Sequence, residues 1–151
     1  MQIKLIILFL FLALGLNFAQ NNNNRNIGIT INNAWIRTSA MGSNTALFFE
    51  VVNSSDKPDT LLSAESKLAK AVEVHETFKR ENDMMGMRKV KFVVIPPNNT
   101  IKFKPRDLHV MLINLNKDMK PNDKGEVTLV FKTAGKIKVN ALVRDMQMTN
   151  K

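Results

Sequence analysis

The sequence predicts an all-β domain, an antiparallel sandwich or barrel, from three features. Short runs rich in Val, Ile and Phe recur along the chain, several with apolar and polar residues alternating at a period of two. Clusters of Asn, Asp, Gly, Pro and Ser separate them at short intervals, as turns require. The internal stretch with most helical character, Ala64 to Lys70, suffices for one turn only.

Residues 1–19 stand apart. Lys4 is the sole charge ahead of an apolar run from Leu5 to Leu16, and Asn17-Phe18-Ala19 closes it with a small residue, the pattern of a secretory signal peptide cleaved after Ala19. About a dozen apolar residues fall short of the ~20 that cross a bilayer, so export without integral anchoring is expected. No cysteine follows, which removes the attachment point of a lipoprotein. Residues 20–26 are nearly all Asn and read as a disordered leader.

The β-domain is expected over residues 27–145. It opens with a strand over Ile27–Ile31, a turn at Asn32-Asn33 and a strand over Ala34–Arg37, whose Trp35, the single tryptophan, reads as a core anchor. A loop follows to Asn44, with Met41 in it, then the strongly apolar strand Thr45–Asn53. After a break at Ser54–Asp59 come a short strand at Thr60–Ser63 and a longer one at Ala71–Phe78. The charged run Lys79–Asp83 makes a hairpin tip, from which Met84–Met87 returns. Further strands are expected at Val90–Ile95, Ile101–Lys104, His109–Leu115, Glu126–Lys132 and Lys136–Arg144, with turns at Pro96–Asn99 and Pro105–Leu108 and a polar loop at Asn116–Gly125. Residues 146–151 read as a flexible tail.

At 151 residues and 44% apolar composition, the chain suits one domain with a real core. Its formal charge of +9 is spread over strands and turns, with no dense Lys/Arg run interleaved with aromatics, so nucleic acid is not an expected partner. The charge reads as solubility, with attraction to an anionic membrane surface or an acidic acceptor as the alternative. No Gly-rich phosphate loop or Ser/His/Asp arrangement occurs, and Glu73 and Glu76 read as solubilising carboxylates.

Metal-binding chemistry concentrates between His75 and Met111, which hold both histidines of the chain. His75, Met87, His109 and Met111 offer two imidazole nitrogens and two thioether sulfurs, neutral and soft donors that favour copper, Cu(I) in particular. His109 and Met111 are two apart and therefore point the same way from a strand. Alternation sets His75 with Glu73 and Thr77, opposite Val72 and Val74, so it should face away from the core. The His109 face is expected to lie uncovered at a strand end. Three methionines within four residues at a turn exit, and a His-x-Met beside another turn, are poor core designs, because methionine specifies packing weakly.

With eleven residues between His75 and Met87, twenty-one between Met87 and His109 and one between His109 and Met111, the pattern resembles the periplasmic copper chaperones called PCuAC. Similarity extends from Ala34-Trp35-Ile36-Arg37 through Val72-Glu73-Val74-His75-Glu76 and Met87-Arg88-Lys89-Val90 to His109-Val110-Met111-Leu112. The resemblance implies a cupredoxin-like Greek-key fold and one Cu(I) held by His75, Met87, His109 and Met111. It also implies delivery to a copper-accepting protein such as the binuclear copper domain of cytochrome c oxidase. Where that family usually has a Gly-Gly pair before the second histidine, this chain has Pro105-Arg106-Asp107-Leu108.

Met84 and Met85 read as reserve ligands or an apolar collar, and Met146-Gln147-Met148 as an auxiliary copper site or a frayed tail. An envelope copper buffer or resistance protein would share the same site, and a structural β-sandwich would use none of it. A copper oxidoreductase fits poorly, since the chain has two His and no Tyr or Cys. Imidazole ligates only when neutral, so copper affinity should weaken as pH falls through and below ~6.5.

Overall fold

The computed structural model describes residues 28–146; the signal segment 1–19, the leader 20–26 and Met148 lie outside the described residues. Ten strands form: β1 (Ile29–Arg37), β2 (Thr45–Asn53), β3 (Asp59–Glu65), β4 (Ala69–Lys79), β5 (Met85–Lys89), β6 (Val93–Ile95), β7 (Asn99–Phe103), β8 (His109–Leu115), β9 (Lys124–Phe131) and β10 (Gly135–Arg144). The fold is all-β and mainly antiparallel, as the alternation predicts. A 3-10 turn, Glu81–Asp83, caps the β4–β5 hairpin.

The strands run in the order β5-β4-β8-β2-β1-β10-β9-β3-β6, with β7 also paired to β2. The one parallel pair among them, β1 with β10, joins the two halves of the sheet. The halves close on each other, because Ile36, Leu47, Val110 and Leu112 from one and Val127, Leu129, Val139 and Val143 from the other share one buried cluster. Burial of these side chains is worth about 1.5–3 kcal/mol each and is the main stabilising term.

Two departures from the expected elements position the functional face. The turn predicted at Asn32-Asn33 is a bulge inside a continuous β1: Asn32 opposes Glu50 and Trp35 opposes Phe48, so β1 spends one residue more than β2 over the same span. Asn33 takes φ 53, which asparagine tolerates, and its amide donates to Glu50 Oε2 at 3.1 Å. The extra residue switches faces. Ile29 and Ile31 point inward before the bulge and Ile36 after it, which turns Trp35 to the outer face. Trp35 is buried as predicted, yet outside the main core, in a second cluster with Ala46 and Phe48 against which Met111 packs.

The other departure lies between β7 and β8. Both pair with the same edge of β2, Phe103 opposite Phe49 and Val110 opposite Leu47, so Lys104–Leu108 is extruded from the edge. Pro105 cannot donate to a ladder, and Arg106 takes φ 65. A left-handed non-glycine residue costs about 1–2 kcal/mol. The predicted strand Val90–Ile95 is split: Val90 N–H donates to the Val74 carbonyl at the end of the β4–β5 ladder, whereas Val93–Ile95 pairs with β3 at the far end of the sheet.

Candidate metal centre

The predicted donors lie on one face of three adjacent strands. In the β4–β8 ladder His75 is directly opposite His109, and cross-strand partners point to the same side. Met111, two residues beyond His109, shares that side. Thr77, two residues beyond His75, shares it too, and Met87 on β5 is opposite Thr77. The reverse face of the same strands carries Val74, Val110 and Leu112 into the core.

His109, Met87 and Met111 line a cleft of about 290 Å³ together with Arg37, Ala46, Phe48, Met85, Arg106 and Met146. Residues of β5 meet residues of β1 and β2 there, although β4 and β8 separate them in the sheet, so the β4–β5 hairpin curls over the outer face. His75 lies beside His109, with ring centroids 6.0 Å apart. At metal–nitrogen distances of about 2.0–2.1 Å, two imidazoles on one ion have centroids roughly 5–6 Å apart, so this spacing suits a shared ion.

The ring nitrogens are differentiated by their partners. His75 Nε2 is 2.8 Å from Glu73 Oε2, and Glu73 in turn receives Lys89 Nζ at 2.9 Å. These two hydrogen bonds hold the Glu73 carboxyl below the usual carboxylate range, so it accepts and His75 Nε2–H donates. His109 Nδ1–H donates to the Asp107 carbonyl at 2.8 Å. That leaves His75 Nδ1 and His109 Nε2 as lone-pair nitrogens, both buried and both without a hydrogen-bond partner among the described residues. A buried acceptor left unpaired costs about 1–3 kcal/mol. Imidazoles oriented by a carboxylate or a carbonyl through one nitrogen, with the other nitrogen free, are the arrangement of metal-binding histidines.

His109 begins β8, at a strand end as the parity predicts, but its face is covered rather than open: only 3% of it is exposed. Phe48, 6.4 Å from its ring and itself packed at a tilt 4.6 Å from Trp35, covers that face. Burial, with smaller contributions from His75 and Arg37, lowers the His109 pKa from its ordinary value despite the Asp107 hydrogen bond, so the ring stays neutral and able to ligate further into the acid range.

Among the other methionines, Met85 and Met146 line the cleft, and Arg37 Nη1 lies 4.0 Å from Met146 Sδ. Met84 and Met41 are exposed and do not line it. The sequence reading missed Glu73, taken as a solubilising group. Its position two residues before His75 on the same strand face was the available signal. It also missed Arg37 and Arg106 as cleft residues, since nothing local connects β1 to the turn before β8. Among the described residues no three His, Asp or Glu side chains converge on a metal-sized site.

This fold is that of the PCuAC copper-binding domains. The structure matches the copper-bound PCuAC domain from PmoF2 with a TM-score of 0.64 and 29% identity, covering 78% of this chain and 93% of that one. It matches the solution structure of CuI-DR1885 from Deinococcus radiodurans with a TM-score of 0.61 over 85% and 86% of the chains; at 24% identity that likeness is one of fold. The family model described as "Putative lipoprotein LpqE-like" matches residues 29–143, and the chain belongs to that family. A putative lipoprotein, Lxx21020, of Leifsonia xyli subsp. xyli is 28% identical over 124 residues, 82% of this chain and 74% of its own.

Proposed function

We propose that this protein is a non-enzymatic carrier of one Cu(I) ion, held by His75 Nδ1, His109 Nε2 and the sulfurs of Met87 and Met111. The observation that carries this reading is the pair of buried, partnerless ring nitrogens on one face with two thioethers. Four neutral ligands leave the complex at +1, which a largely apolar cleft tolerates far better than a doubly charged ion. Thioethers favour the reduced ion because they are soft. Met87 is 60% exposed, so the site opens outward on the sulfur side, where an incoming ligand can replace one donor at a time.

Such exchange suits a chaperone, and the acceptor implied by the PCuAC resemblance is the binuclear copper domain of cytochrome c oxidase. An extracytoplasmic location is supported by the signal-like residues 1–19 and by the family's lipoprotein description. Among the described residues, no helix is long and apolar enough to cross a membrane.

Competition against a coloured Cu(I) chelator tests the ligand set. Wild type should bind one equivalent, and His75→Ala, His109→Ala, Met87→Ala and Met111→Ala should each weaken binding by tenfold or more, on the order of a lost metal ligand. Equal, negligible binding by wild type and variants would leave a structural sandwich.

A further inference from the structure

Building on the copper-carrier reading, we propose that the lip of the cleft is a docking surface for an acidic polypeptide acceptor, held by Arg37 and Arg106. Among the described residues, both charged residues that line the cleft are arginines, and no carboxylate lines it. Several cations near the donors are already matched: Lys79 with Asp83, Arg88 with Glu76, Lys89 with Glu73 and Lys104 with Asp107. Arg80 lies over the Phe78 ring. Arg37 and Arg106 have no ion pair among the described residues, so their guanidinium forks remain available for bidentate capture of carboxylates.

Arg106 adds a second, independent sign. Its φ of 65 is a conformation glycine would adopt without strain, yet the chain places a long cation there, at the mouth of the cleft. Backbone strain of this kind concentrates where a side chain must be aimed at a partner. The lip between the charges is apolar and adaptable, with Met85, Met87 and Met146 exposed. An anionic lipid surface would satisfy the two arginines but brings no soft donor to the ion. Ligand exchange requires the acceptor's own sulfur or imidazole within bonding reach, which selects a polypeptide. Carboxylates around that donor would speed encounter and fix its approach, while a basic partner would be repelled.

The test loads the protein with Cu(I) and follows transfer to two synthetic peptides sharing one Met-x-x-Met motif, flanked by Asp in one and by Lys in the other. The Asp peptide should accept copper about tenfold faster at low salt, and the contrast should shrink towards one as salt approaches about 0.5 M. In the Arg37→Gln/Arg106→Gly double variant it should fall within about twofold even at low salt. Because the readout is a ratio on one protein, a change in intrinsic copper affinity cancels. A ratio near one in wild type, or an unchanged ratio in the double variant, overturns the proposal. So does arginine-dependent binding to phosphatidylglycerol vesicles without discrimination between peptides. Failure to load Cu(I) at all, seen before any transfer, overturns the carrier reading and this proposal with it.

Discussion

Replacing His109 with Phe should stabilise the copper-free protein while abolishing its response to copper. In the copper-free fold, His109 Nε2 is a buried acceptor with no partner, at a cost of about 1–3 kcal/mol. His109→Phe removes that atom and also the Nδ1–H hydrogen bond to Asp107, worth about 0.5–1.5 kcal/mol. The Asp107 carbonyl is not orphaned, because it still accepts the Thr77 N–H at 3.3 Å and the Thr77 hydroxyl at 3.4 Å. The new ring takes the place of the imidazole beside Phe48, and its extra carbon abuts the cleft rather than the main core. The balance is about 0–2 kcal/mol in favour of the variant, or up to roughly 8 °C in Tm for a domain of this size. Calorimetry with and without Cu(I) reads both parts. Wild type should gain about 2.7 kcal/mol at free Cu(I) a hundredfold above its Kd, and the variant nothing. A copper-free variant less stable than wild type by over ~1 kcal/mol, or one stabilised by copper as strongly as wild type, refutes the assignment of Nε2.

Three other outcomes follow from the same geometry. Glu73→Ala frees the His75 ring from its anchor and should weaken Cu(I) binding about 10- to 100-fold in chelator competition, with one site retained; unchanged affinity would make Glu73 a solubilising group after all. Because burial lowers the His109 pKa, the unfolded chain takes up this proton first as pH falls. The stability tied to neutral His109 is therefore complete above its ordinary value near 6.5 and is lost as pH drops through the lowered folded value. Denaturation at pH 7.5 and pH 5 should show that loss in wild type and not in His109→Phe, and equal pH slopes would contradict it. Arg106→Gly relieves a left-handed arginine and should raise stability by about 0.5–1 kcal/mol by urea denaturation, the strain relief being offset by glycine's unfolded-state entropy; a loss of stability would show that the side chain holds the turn.

Much of this architecture is legible locally. The apolar, aromatic and β-branched run Thr45–Asn53 and the alternation in Lys136–Arg144 find β2 and β10 almost to the residue, and the charged tip between Phe78 and Met84 finds the β4–β5 hairpin. The parity of Glu73, His75 and Thr77 against Val72 and Val74 separates the site face from the core face. What it cannot give is the depth of each donor on that face: His109 is sealed by Phe48 while Met87 stands open.

The sequence by itself determined which residues alternate, where the chain turns and which side chains carry soft donors, because these follow from side-chain chemistry and a two-residue period. Only the tertiary structure decided that a one-residue bulge rotates Trp35 to the cleft side and that β7 and β8 share one edge of β2. It alone brings Arg37 and Arg106, 69 positions apart in the chain, to one cleft. Those outcomes depend on which distant strand lies alongside and what then covers each face, and pairing of that kind leaves no periodic trace in the segments it joins.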